Sequence, residues 1–265
     1  FQQAAKVNAD IYHLHDPELL PLGLKLTRLG KKVIYDAHED LPRQILDKPY
    51  LNKFIAKILA VFIEKYENYC AKKFAAIVTA TPFIKDRFQK LNTNSVDINN
   101  YPLNSEIDLL DNNISTKENK ICYIGGISEI RGISQLVDSL SFCNNISLDL
   151  AGECYEDDFM HKLKSSSNWE KVNYLGQIDR KKSLEVKSKS IAGIITFLPA
   201  ANHINAQPNK IFEYMASGLA VICSDFPMWK KLISDNNCGI CINPLIPEEI
   251  ANAINKLSKN PKLTR

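Results

Sequence analysis

The sequence predicts an α/β protein of two domains, each a mostly parallel sheet covered by helices on both faces. Three observations carry this reading. Short apolar runs of strand length alternate with helical stretches along nearly the whole chain. A polar, unpatterned segment at 103–119 (Asn104-Ser105, Asp111-Asn112-Asn113, Ser115-Thr116) interrupts that alternation. The length of 265 residues suffices for two cores. The expected domains are therefore 1–103 and 104–265.

Within the first domain, Ile11 to His15 reads as a strand ending at His-Asp-Pro, and 17–30 as a Leu-rich helix stopped by Gly30. Lys32 to Asp36 is the next strand, ending at Ala37-His38-Glu39. Leu51, Phe54, Ile55, Ile58, Leu59, Phe62, Ile63 and Tyr66 recur at helical spacing and predict one long helix over 51–74. A strand at 75–80, a helix from Thr81-Pro82 to about Leu91, and a strand at 96–99 complete the set. The second domain reads as strands near 120–124, 146–151, 172–175, 191–197, 219–223 and 239–242. Helices fall between them near 132–143, 155–165, 179–189, 208–217, 227–234 and 247–259. Phe1 to Ala9 is expected to run straight into the first strand, and Lys262 to Arg265 stops without a closing element. The chain is thus expected to be an internal piece of a longer protein.

Composition excludes some classes. Apolar residues make up 45% and charged residues 24%, as in ordinary soluble globular proteins. A net charge of +3 gives no case for nucleic acid as the main partner. The seven cysteines are scattered, several of them in apolar runs, which suits reduced thiols in a cytoplasmic enzyme. Cys238-Gly-Ile-Cys241 is a lone pair with no nearby histidine, so zinc is not expected there. No apolar run reaches the roughly 18 residues of a membrane span, and no stretch reads as a signal peptide.

The chemistry concentrates in 207–225. Pro208 suits the first helical position, and Gly218 suits the left-handed stop before a buried strand. A helix that opens with unpaired N–H groups after a loop is an anion site. Lys210 and Glu213, three apart, share a face near that end. A cation for phosphate beside a carboxylate for a sugar diol fits a nucleotide-sugar pocket; an ordinary surface ion pair is the plainer alternative. Gly125-Gly126 follows a strand and precedes a helix, with Arg131-Gly132 just after, so the backbone there can approach a phosphate. A plain strand–helix turn would look the same. Gly152 and His15 sit at strand ends, the side on which such sheets place ligands. His13 is expected to turn to the other face and pack. Asp16, before Pro17, reads as a helix cap or a ligand.

Residues 207–225 resemble the signature helix of the retaining GT-B glycosyltransferases of family 4, the glycosyl transferases group 1. That helix reads Pro-x-Lys-x-x-Glu-x-Met-Ala-x-Gly-x-Pro-Val-Ile; Ala220 stands here where proline is common. The resemblance implies the GT-B fold, two Rossmann-like domains facing across a cleft, the first incomplete and a C-terminal tail missing. It implies that Glu213 holds the donor ribose and that Arg131 with Lys210 clamps the diphosphate, Gly126 replacing the usual first cation. Gly125, Gly152 and the segment 174–178, ending at Ile178, would line the donor, whose base is read by backbone groups. Asn205 replaces the first carboxylate of the Glu-x7-Glu motif; its amide still hydrogen-bonds a hydroxyl. His15 would reach the donor sugar near the reacting carbon as the catalytic residue, and His38 with Glu39 would line the acceptor side.

No Asp-x-Asp occurs, so neither a metal nor another cofactor is expected, and retention would follow a front-face route without a protein nucleophile. The implied activity is hexosyl transfer from a UDP- or GDP-linked sugar to a glycan or lipid-linked acceptor, in bacterial surface polysaccharide assembly. A non-catalytic pseudoenzyme and a nucleotide-sugar epimerase are the alternatives. The helix at 51–74 also carries Lys53, Lys57, Lys65, Lys72 and Lys73. It is expected to pack its apolar stripe on the sheet; the other reading is peripheral contact with the inner face of an anionic membrane.

Overall fold

The computed structural model describes residues 1–48, 50–102 and 116–260. The chain divides into two compact units, Phe1–Asn100 and Tyr101–Arg265. Residues 103–115 of the expected linker lie outside the described residues, as do 262–265.

The first unit holds a parallel sheet in the order β1 (Ile11–Leu14), β2 (Lys32–Ala37), β3 (Ala76–Thr79), β4 (Ser95–Asp97). Its helices are α1 (Gln2–Val7), α2 (Leu20–Arg28), α3 (Leu41–Leu46), α4 (Lys53–Ala71) and α5 (Pro82–Gln89). Three sequence expectations need correction. Residues 2–7 form a helix, ended by Asn8 in the left-handed conformation (φ 52°), rather than running straight into β1. The helix expected from residue 17 begins as a 3-10 turn, Pro17–Leu19, because Pro21 lacks the N–H that would close the first α-helical bond to Pro17 O, which takes the Leu20 N–H instead. The third correction concerns α4. Its buried positions are Ala56, Ala60, Glu67, Cys70 and Ala71, while Phe54, Ile55, Ile58, Leu59 and Phe62 are exposed. Small residues let the helix approach the unit closely, so the bulky stripe faces out and not onto the sheet.

The second unit is a six-stranded parallel sheet in the order β10-β9-β8-β5-β6-β7. Its strands are β5 (Lys120–Ile124), β6 (Ser147–Ala151), β7 (Val172–Gly176), β8 (Ala192–Ile195), β9 (Ala220–Ser224) and β10 (Gly239–Ile242). The helices α6 (Ile133–Ser139), α7 (Asp157–Lys164), α8 (Arg180–Lys189), α9 (Asn209–Ala216), α10 (Pro227–Asn236) and α11 (Pro247–Ser258) cover it. Every strand of this sheet pairs in parallel with its neighbour. Parallel strands covered on both sides read as continuous apolar runs, which is why β8 and β9 are buried throughout. Ile121, Leu148, Ile194 and Ile222 are fully buried, each contributing on the order of 2 kcal/mol. The strand order reverses on either side of β5, which makes the carboxyl end of β5 a topological switch point, where ligands of such sheets bind.

Candidate functional site

At that switch point the chain turns through Gly125 and Gly126. Gly125 has φ +146° and donates its N–H to Ala151 O at 2.8 Å. Gly152, at the end of β6, has φ +139°, and a Cβ there would lie 1.9 Å from Gly125 O. Two strand-end loops thus touch backbone to backbone, which only glycine permits. Beside them opens a cavity of about 280 Å³, lined by Gly125, Gly126, Gly152, Glu153, Gln177 and Ile178 among others.

Two cations converge on the same turn. Arg131 ends a short 3-10 turn and donates from Nη1 to Gly126 O at 3.3 Å, its guanidinium 5.5 Å from the Phe197 ring centroid. Thr196 Oγ1 donates to the carbonyls of Arg131 (3.2 Å) and Gly132 (3.1 Å), which fixes this segment against β8. Lys210, on α9, is half-buried, with Nζ 5.8 Å from the Tyr123 ring and 6.0 Å from that of Phe197. Burial, reinforced by Arg131, pulls its pKa down to about 8. Among the described residues neither cation has an ion-pair partner, so their charges are available to an anion.

Pro208 caps α9 in an extended conformation (φ −70°, ψ 130°) instead of forming its first helical residue, and the helix opens at Asn209. Gly218 takes the expected left-handed stop at φ 62°. Glu213 is half-buried one turn after Lys210. The plainer alternative, a surface ion pair between them, is not formed: Lys210 turns to the aromatic rings. Glu213 lies within electrostatic reach of both Lys210 and Lys187, the latter a lysine with only 6% of its surface exposed. Burial lowers the Lys187 pKa, and Glu213 opposes that shift. Asn205 is half-buried at the end of the turn before α9. His203 Nδ1 (3.0 Å from Leu198 O) and Trp229 Nε1, donating to Ala206 O at 2.6 Å, brace that turn.

In the first unit the strand ends carry imidazoles. His15 follows β1 and His38 follows β2. His13 does not turn away and pack: its ring stacks on His15 (centroids 4.5 Å apart, 24° between planes), because residues two apart on an extended chain share a face. Both reach Asp36 Oδ2, His13 Nε2 at 3.5 Å and His15 Nδ1 at 3.3 Å. Among the described residues these three form the group whose ligand atoms, within 4.8 Å of one another, could hold a metal ion. Asp16 makes no side-chain cap bond and lies 4.0 Å from His38 Nε2. Glu39 accepts from Gln44 Nε2. The turn that bears His38 and Glu39 is anchored at Asp40, which meets Arg87 (3.1 Å) and Arg43 (3.5 Å). Arg87 also pairs with Glu67, a fully buried carboxylate that accepts from Tyr35 Oη at 2.9 Å. Burial raises the Glu67 pKa, and Arg87 opposes it.

Residues 105–265 match the family model of the glycosyl transferases group 1. The chain belongs to that family. Its solved neighbours agree in fold. Anabaena Alr3699/HepE, in complex with UDP, superposes with a TM-score of 0.73 at 16% identity, over 98% of this chain and 73% of that one. A glycosyltransferase from Rickettsia africae gives 0.71 at 17%, over 97% and 69% of the two chains. WaaG, a glycosyltransferase involved in lipopolysaccharide biosynthesis, gives 0.63 at 13%, over 91% and 73%. No curated protein sequence matches the chain. At these identities the neighbours establish the α/β, GT-B type of fold.

Within this glycosyltransferase, Gly125, Gly126, Gly152, Ile178, Arg131 and Lys210 come together around one turn and one cavity of the second unit. His15, His38 and Glu39 lie at strand ends of the first. Asp36, Phe197, Tyr123, Thr196, Lys187 and Tyr214 escaped the sequence reading. Tyr214 is fully buried and its hydroxyl accepts the Ile124 N–H at 3.1 Å, closing the end of β5. A strand-end carboxylate two residues before His38 was the one local signal for Asp36. The others sit in ordinary apolar or helical runs and become visible only through packing.

Proposed function

We propose that this glycosyltransferase moves a hexose from a nucleotide sugar to a glycan or lipid-linked acceptor, with retention and without a metal, in bacterial surface polysaccharide synthesis. One observation carries the reading. Two cations without an ion-pair partner among the described residues, Lys210 and Arg131, close on the Gly125–Gly126 turn at a topological switch point. A diphosphate there would meet both cations beside a glycine turn with no side chain to keep it away, and the two positive charges would stabilise a departing diphosphate as a metal would elsewhere. Glu213 would accept from the ribose hydroxyls, with Lys187 within its electrostatic reach. Asn205 would hydrogen-bond the donor sugar, and His15 would act near the reacting carbon, with His38 and Glu39 toward the acceptor. The UDP found with HepE makes a uridine donor the first to try.

The test is calorimetric titration of the chain with UDP, GDP and ADP. Selective binding of one, lost in Glu213→Ala, supports the assignment; equal affinity in the variant sinks it. Asn205 and Gly126, where the family pattern has a carboxylate and a cation, favour a second reading: a pseudoenzyme that binds the donor without transfer. Sugar release from the donor, with and without acceptor, separates the two.

A further inference from the structure

We propose that the outward face of α4 is a docking surface for an anionic lipid bilayer. The helix is apolar on both sides. Its inward stripe runs through Ala56, Ala60, Glu67 and Ala71. At 100° per residue, Phe54, Ile58, Phe62 and Tyr69 fall on the opposite side. Phe54 and Phe62 are 71% and 68% exposed, and Ile55, Ile58, Leu59, Val61, Tyr66 and Tyr69 flank them in the open. Together they present an apolar patch on the order of several hundred Å², larger than scattered surface residues produce. A helix that is apolar all round is one that something covers.

Charge selects the cover. Both acidic residues of α4 are turned into the unit: Glu64 pairs with Arg43 at 2.8 Å, and Glu67 is buried against Arg87. Lys53, Lys57, Lys65, Lys72 and Lys73 remain exposed, so the outer side is apolar and cationic with no exposed acid of its own. A second copy docking through this face would set those lysines against their equivalents. An anionic bilayer instead takes the rings and aliphatic side chains among its acyl chains and the ammonium groups among its headgroups. Lys73 Nζ, 5.8 Å from the Tyr69 ring, already shows the aromatic–ammonium pairing suited to such an interface. The inference is independent of the donor-site reading, since it involves no residue of the second unit.

Co-sedimentation of the full chain with vesicles of phosphatidylcholine alone, or with a third of phosphatidylglycerol, tests it. The expected result is binding to the anionic vesicles, weakened in high salt. Phe54→Ser/Phe62→Ser and, separately, Lys57→Gln/Lys65→Gln should each lower partitioning at least tenfold. Because these side chains are exposed, thermal melting and nucleotide affinity should stay unchanged. Failure of the native chain to sediment, or equal sedimentation of either double variant, overturns the proposal. So does a self-association in analytical ultracentrifugation that Phe54→Ser/Phe62→Ser abolishes while vesicles are ignored.

Discussion

A Cβ on Gly125 would lie 2.2 Å from Cε and 2.4 Å from Nζ of Lys210, so the lysine rests directly on the glycine backbone. In Gly125→Ala the flexible end of Lys210 has to swing away, and the φ of +146° adds about 1–3 kcal/mol of strain. We expect the melting temperature to fall modestly and nucleoside diphosphate affinity to fall about tenfold or more, near 1.4 kcal/mol. Calorimetry and a thermal melt read both; unchanged affinity would remove Lys210 from the anion site.

Lys210 also sets a pH dependence. Its folded pKa, about 8, lies below the ordinary lysine value of 10.5. Below pH 8 the folded chain therefore carries an ammonium that burial penalises, and this penalty fades as pH rises from 8 towards 10.5. Lys210→Met should melt higher than the native protein at pH 7 while binding nucleoside diphosphate far more weakly. A diphosphate bound beside Lys210 would favour the charged form, so binding at pH 8 should take up about half a proton. Titrations in buffers of different ionisation enthalpy measure that uptake; none at pH 8 would contradict it.

Asp36 positions two imidazoles, so its effect should appear in turnover and not in donor binding. Asp36→Asn keeps the shape but replaces one of the two carboxylate oxygens by an amide NH2, which cannot accept from an imidazole. The expected result is a fall in kcat of about tenfold or more, with a nearly unchanged KM for the donor. A chelator should leave the native rate as it is. A chelator-sensitive rate restored by Zn²⁺ or Mn²⁺ would recast His13, His15 and Asp36 as metal ligands.

Arg87→Met strips the counter-ion from buried Glu67 and from Asp40. Breaking a buried pair on one side costs about 3–5 kcal/mol. The Glu67 pKa is already raised in the folded chain by burial, and without Arg87 it rises further. A carboxyl whose folded pKa is raised gains stability as the pH falls, so the variant should recover part of its loss between pH 7 and 5. Urea unfolding at both values checks this; a loss independent of pH would argue against Glu67 as its source.

The alternation of apolar runs determined the two parallel sheets, because strand and helix periods are local properties of the chain. The Pro-Asn-Lys-x-x-Glu helix and the Gly-Gly turn were legible for the same reason: capping, positive φ and one-turn spacing act within a few residues. Tertiary structure decided the rest. That His13 joins His15 at Asp36 depends on β1 lying beside β2 in the register that sets His13 opposite Ile34. That Lys210 meets Arg131 depends on α9 and the turn after β5 reaching one end of the sheet. Which side of α4 faces the unit was not legible either. Both sides are apolar, and the choice fell to whichever packs closer, the small residues Ala56, Ala60 and Ala71, leaving the bulky stripe outside.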